Sequence, residues 1–223
     1  MQDTHFHDEP VLIWTGAAML EGRLAVPPDA SALLLMVSGG ATAAHNGFRR
    51  VANHLWQHGF AVLFADALTE DEQQFDSRTG HFRSDVKLLS ARLAGISGWV
   101  KHESNLRELP IAFFGTGAFA AAGLSAAARE PSAFAALILI EARTDLVDHA
   151  LHAVETPVLL IAPDSDMAIL RMNREAVEKL RGEKRLEVIP DSVRVIDDEL
   201  NVAIVAREAL SWAAAHAQPV AAW

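Results

Sequence analysis

The segment 111–123, IAFFGTGAFAAAG, is where residue types and spacing point to chemistry. An apolar run enters a sharp glycine-containing turn and leaves as a helix of small residues, the setting of a nucleophile elbow. Such a turn holds its nucleophile on strained backbone, so the positions two before and two after the tip must be small for the backbones to approach. Gly115 fills the first small position, Gly117 occupies the tip, and Phe119 stands where the second small residue belongs. The tip therefore carries no nucleophile. Thr116 is one residue early: its side chain should point away from the tip, and Phe114 would then occupy a position that needs a small residue. Ser125, in GLSAA, falls about two turns into the helix and reads as a packed helical residue.

Short apolar runs bounded by turn residues alternate along the chain with longer segments of helical period, the pattern of a sheet wrapped by helices. Strands are expected at 11–14, 20–26, 32–37, 61–65, 111–114, 135–140, 158–162 and 186–189, and helices at 48–58, 84–101, 118–129, 171–181 and 199–216. The first two strands alternate in polarity across a short turn, as an antiparallel edge pair does; the others follow strand–helix–strand order and should be parallel. The expected fold is α/β, one mostly parallel eight-stranded sheet with helices on both faces. Residues 1–10 read as a flexible N-terminal tail and 11–223 as one domain, since no repeat, long linker or low-complexity tract divides the chain. Ligands of open parallel sheets bind beyond the carboxyl ends of the strands, which directs attention to the residues that follow each strand.

Composition narrows the function classes. Nineteen Lys and Arg against 29 Asp and Glu give a formal charge of −10, a mean field that repels phosphate backbones and anionic lipid. Nucleic acid and membrane are thereby disfavoured as partners. Without cysteine there is no disulfide, thiolate nucleophile or Cys-type zinc site. The N-terminus MQDTHFHDEP is acidic and polar where a secretory signal is basic and then apolar, and no apolar run approaches the roughly 20 residues of a membrane span. A cytoplasmic location is the default expectation, and nothing in the pattern calls for a cofactor.

The stretches LEGRLAVPPDA, GFAVLFADALTEDE, DSRTGHFRSDVKLL, IAFFGTGAFAAA, TPVLLIAPDSD and NREAVEKLRGEKRLEVIP together resemble the dienelactone-hydrolase-like group of the α/β-hydrolase superfamily, from about Leu20 to His216. The resemblance implies a Ser-His-Asp triad with a G-x-S-x-G elbow. In this chain the serine position falls on Gly117, the last glycine on Phe119, the acid on Asp166 and the histidine on Arg194. The His-Gly pair that opens the oxyanion loop falls on Ser38 and Gly39, and the loop is about one residue shorter. Serine hydrolysis needs an oxygen nucleophile and a base that titrates near the operating pH. Gly117 has no side chain, and an arginine stays protonated. Loss of a triad nucleophile or base costs on the order of 10⁶ in kcat, because the members act as a unit.

Two readings follow. The first is a degenerate hydrolase serving as a non-catalytic binding or partner subunit; the N–H of Ala118 and one near Gly39 or Gly40 would receive a small anionic ligand or a partner's carboxylate. The second is an ester or lactone hydrolase with a site rebuilt around Thr116, His45 or Glu141. Arg194 either pairs with Asp166 and plugs the pocket or swings into solvent. His45 and His81 are each a base candidate for a rebuilt site, with a solvated loop histidine the commoner state of either, and the charges of 76–85 read as a helix cap and solvated face. His5 with His7, and His149 with His152 near Asp145 and Asp148, have chelating spacing but lack further ligands, so no metal site is expected. A homodimer would form through the outer strand pair or the last helix and its terminal Trp223.

Overall fold

The computed structural model describes residues 6–40, 45–190, 192 and 194–217. Five runs, β3 (Ala32–Ser38), β4 (Phe60–Asp66), β5 (Ile111–Thr116), β6 (Ala136–Ile140) and β7 (Val158–Pro163), are buried along nearly their whole length. Burial on both faces explains why these strands are continuously apolar rather than alternating. With the outer β8 (Lys184–Ile189) they form a parallel array, and β2 (Met19–Ala25) joins β4 antiparallel, followed by β1 (Glu9–Trp14). The order is β1-β2-β4-β3-β5-β6-β7-β8, the eight-stranded, mostly parallel sheet expected from the sequence.

Alternation along each strand divides the core in two. Leu33, Leu35, Phe113 and Leu139 face one side, where α3 (Val86–His102), α4 (Gly117–Arg129) and α5 (Met167–Lys179) pack. Leu34, Met36, Phe114 and Ile138 face the other, covered by α1 (Asn46–Trp56) and α6 (Glu199–His216). Each fully buried Leu or Phe contributes about 1.5–3 kcal/mol, so these two layers hold the sheet rigid beneath its loops. Among the described residues no helix is long and apolar enough to cross a membrane.

Two features depart from expectation, and a short helix takes its expected place. α2 (Glu70–Thr79) was not foreseen: its only apolar residue is Phe75, so it has no periodic stripe, and it forms on a capping box between Thr69 and Glu72. The short helix expected to carry His149 and His152 is present over Thr144–Ala153, kinked at Val147. The N-terminal tail is a tail only in part. Residues 6–8 dock against the domain and Glu9 and Pro10 belong to β1, whereas residues 1–5 lie outside the described residues. Phe6 lies 6.1 Å from the Phe64 ring and 5.9 Å from Trp56, and Asp8, 5% exposed, accepts from Arg23 Nε (2.6 Å) and Arg49 Nη1 (2.8 Å). Asp85 caps α3, accepting from Leu88 N–H at 2.9 Å, as the charge pattern suggested.

Candidate functional site

The chain leaves β3 toward β4 on one side, while β5 lies on the other, so connections diverge between β3 and β5. A crevice for ligands opens at such a point. The loop after β3 and the β5–α4 junction meet there.

β5 ends at Thr116 and α4 starts at the next residue, with Gly117 at φ +56°. This is the strained turn an elbow requires; a side chain on left-handed backbone costs roughly 1–2 kcal/mol. A Cβ on Gly115 would stand 2.7 Å from Phe113 Cζ and 3.2 Å from Ala120 N, which is why that position is small. A Cβ on Gly117 would meet nothing within 4 Å among the described residues. The tip has left-handed backbone, meets no described atom where a side chain would begin, and carries no side chain. Thr116 makes no side-chain cap bond to α4. Among the described residues, His58, His102 and His216 contact backbone carbonyls and His45 and His216 contact carboxylates, and no histidine is seen bonded to a hydroxyl.

The expected oxyanion corner is filled from within. Gly40 N–H donates to Ser38 Oγ (3.3 Å), whose hydroxyl donates back to Gly40 O (3.1 Å). The Phe119 ring lies over Gly39, where a Cβ would be 3.3 Å from its Cζ. The Gln73 amide, anchored by its bond to Leu68 O at 2.9 Å, leaves no room for a Cβ on Gly40. An oxyanion taking the N–H of Gly40 would have to displace its bond to Ser38. Ala118 N–H remains at the first turn of α4, where no intrahelical acceptor exists.

Asp166 and Arg194, the other two positions singled out in the sequence, have separate partners. Asp166 is the N-cap of α5, its Oδ1 accepting from Ala168 N–H (3.1 Å) and Ile169 N–H (3.0 Å). Arg194 does not reach it: the side chain is 69% exposed, and its Nε lies 2.8 Å from Asp197 Oδ2. The ion pair that would plug the pocket is replaced by one within its own loop, because a carboxylate three residues away is already presented. Asp197 also holds His45, Nε2 to Oδ1 at 3.3 Å, and the His45 ring rests 4.8 Å from Phe48 with a buried Nδ1 that has no partner among the described residues. Asp197 and Gln73 were not foreseen; neither sits at a motif position, and each acts through a contact distant in sequence or across a loop.

Glu141 is a carboxyl whose pKa is raised by its surroundings. It follows β6 at φ +51°, and its Oε1 accepts from Val195 N–H at 2.7 Å, tying the β8–α6 loop to the strand ends. The elbow is adjacent, since Arg143 N–H donates to Gly117 O at 3.1 Å. Burial raises the carboxyl's pKa; the Val195 bond and Arg194 oppose this in part, and Asp197 and Asp166 add to it. A raised value means the fold favours the neutral acid, a contribution fully present below the ordinary 4.5 and lost as pH rises through the folded pKa. Glu141→Gln is therefore expected to be more stable than the parent near neutrality, by about 0.5 kcal/mol, and no more stable at about pH 4; paired denaturant titrations check it.

Metal candidates find no support among the described residues, which hold no group of three or more His, Asp or Glu placed for an ion. Asp145 pairs with Arg143 and Asp148 with Lys179, which engages both acids beside His149 and His152. His81 packs against Phe75 and Phe82. His5 and Trp223 lie outside the described residues.

No protein-family model matches the chain. A dienelactone hydrolase from Anabaena variabilis superposes with a TM-score of 0.91 at 32% identity, over 96% of this chain and 100% of that one. Est1E from Butyrivibrio proteoclasticus shares the fold at 15% identity (TM-score 0.74; 92% and 98% covered). A dienelactone hydrolase-like promiscuous phosphotriesterase from metagenomic libraries shares it at 11% (TM-score 0.70; 93% and 99% covered). Two Mycobacterium tuberculosis proteins, from strains CDC 1551 / Oshkosh and H37Rv, are 30% identical over 211 residues, and both are named as candidate phosphoribosyl transferases. The match takes in 94% of this chain but 47% of theirs, so the chain spans about half the length of these curated relatives.

Proposed function

Because the chain belongs to the dienelactone-hydrolase-like branch of the α/β-hydrolases, we propose that it is a member that has given up ester hydrolysis and works as a non-catalytic binding or partner unit. The observation that carries this is the elbow itself: Gly117 keeps the left-handed backbone of a nucleophile position, and no described atom lies within 4 Å of where its side chain would begin. The other triad positions agree, with Asp166 engaged in capping α5 and Arg194 paired to Asp197. The filled corner at Gly39 and Gly40 argues in the same direction, since stabilising the oxyanion is worth on the order of 10²–10³ in kcat per donor. The mycobacterial relatives, about twice as long as the segment they share with this chain, support a partner role: there a unit like this one is joined to as much chain again.

One observation favours the competing reading of a rebuilt hydrolase. Glu141 is half-buried beside the elbow, with a pKa raised in the direction a general base needs. A fluorophosphonate probe with intact-mass detection tests for a surviving nucleophile. The non-catalytic reading expects no adduct on the parent; a stoichiometric adduct, at Thr116 or elsewhere, would overturn it.

A further inference from the structure

The far end of α1 reads HLWQH, residues 54–58, with two histidines four apart. On a helix that spacing sets both side chains on one face, and it is the spacing of the zinc-binding H-E-x-x-H helix. Leu55, fully buried, stands where that helix carries its glutamate base, so the spacing here speaks for holding an ion and not for hydrolysis. His58 follows the C-cap Gln57, and its backbone N–H donates to Leu55 O at 2.9 Å, which keeps it in the closing turn. His54 lies nine residues beyond His45, about 14 Å along the helix axis, so the pair is set apart from the crevice at the elbow.

The rings already stand as two ligands of one ion do. Their centres are 4.9 Å apart and their planes are tilted by 56°, so they are not stacked. A ring bound through one nitrogen has its centre about 3.2 Å from the ion, given metal–nitrogen bonds of about 2.0–2.1 Å; two rings at adjacent coordination positions, about 90–109° apart, then have centres about 4.5–5.2 Å apart. The observed separation falls inside that range. The donor atoms are available as well. His58 Nδ1 lies 2.8 Å from His54 O; a carbonyl only accepts, so Nδ1 carries the proton and Nε2 of the neutral ring keeps its lone pair. Metal-bound histidines are oriented by such a bond from their other nitrogen. His54 is half-buried, and neither of its ring nitrogens is hydrogen-bonded among the described residues. The surroundings favour a cation. The pair sits at the negative end of the α1 dipole, on a chain of net charge −10, and Arg50, one turn before His54, is paired with Glu199. A cavity of about 430 Å³ between α1 and α6, which His54 and Gln57 line, has room for solvent ligands to complete the shell.

We propose that His54 and His58 form a two-histidine site for a divalent transition-metal ion of the class that imidazole binds, Cu²⁺, Ni²⁺ or Zn²⁺, which clips the last turn of α1 to the residues that follow it. The described residues place no third His, Asp or Glu on the ion, so this is an exchangeable site and not a four-ligand structural one. Of the three ions Cu²⁺ binds such nitrogen pairs most tightly. The site goes beyond the binding-unit reading above and does not depend on it.

Copper(II) iminodiacetate, whose chelator leaves coordination positions for two imidazoles, tests this on the full chain by isothermal titration calorimetry and thermal melting. The parent is expected to bind one equivalent at this site, and its Tm to rise by about 2–4 °C with the complex in excess, because an ion that prefers the folded pair stabilises it by mass action. His54→Ala and His58→Ala should each weaken this binding by about tenfold or more and remove the Tm rise. His58→Gln, a milder change at an exposed position, guards against a misfolded alanine variant and should lose the Tm rise in the same way. The double variant His149→Ala/His152→Ala should keep both binding and Tm rise. A parent Tm that the complex leaves unmoved overturns the proposal. So does a Tm rise that survives His54→Ala and His58→Ala, or one that His149→Ala/His152→Ala removes, since the stabilising ion would then sit elsewhere.

Discussion

Gly117→Ser combined with Arg194→His is expected to turn on ester hydrolysis, by on the order of 10²–10⁴-fold over the parent, the range a positioned acid–base group contributes. The scaffold is prepared for it. The tip of the elbow already has φ +56°, and a Cβ there meets no described atom within 4 Å, so a serine side chain enters existing space. Gly117→Ser alone should stay near the parent's rate, since arginine takes no proton and the triad acts as a unit. The pair should still fall well short of a full hydrolase, because Phe119 covers Gly39 and Ser38 holds the N–H of Gly40. Adding Phe119→Gly should raise the rate further, by up to the roughly 10²–10³ that one oxyanion donor carries. Turnover of p-nitrophenyl butyrate across the series measures each step.

Asp8→Ala is expected to destabilise the protein by about 2–3 kcal/mol, below the 3–5 of a fully buried pair because both arginines keep contact with water. Its carboxylate binds Arg23 and Arg49 at once, tying the N-terminal segment to β2 and α1, and the Arg49 guanidinium sits 5.1 Å from the centre of the Phe6 ring. Burial pushes this carboxyl upward, but hydrogen bonds and charge from the two arginines outweigh it and hold the pKa below the ordinary 3.8. The stabilisation is thus fully present above pH 3.8 and lost as pH falls through the folded value, the opposite sign from Glu141. Denaturant titrations should show the gap between parent and variant near neutrality shrinking toward about pH 3. An unchanged gap would mean that Asp8 acts through packing rather than charge.

How much of this was legible depended on whether the cause was local. The run ALLLMV announces a strand buried on both faces, and GTGAFAAAG announces an elbow, because the burial pattern and the small residues are written at the site itself. α2 was not legible from periodicity: EDEQQFDSRT has one apolar residue, and its only signal was the T-x-x-E capping pattern at Thr69 and Glu72. Pairing among charges was also hidden. Arg194 had Asp166 and Asp197 as possible partners, and loop geometry, not spacing to a motif, gave it to Asp197. Asp8 in a polar N-terminus looked solvated, since its partners lie 15 and 41 residues away. The filled oxyanion corner required knowing that Gln73, from the helix that periodicity missed, reaches Gly40.

The central claim is that the elbow is shaped for catalysis but does none, and the most direct measurement is turnover by the unaltered protein. Purified parent is incubated with p-nitrophenyl butyrate and an enol-lactone substrate, beside the Gly117→Ser/Arg194→His variant prepared identically. The account predicts release by the parent indistinguishable from buffer and measurable release by the variant. Turnover by the parent at an enzyme-like rate, abolished by Glu141→Gln or Thr116→Ala, would contradict it and identify a rebuilt site.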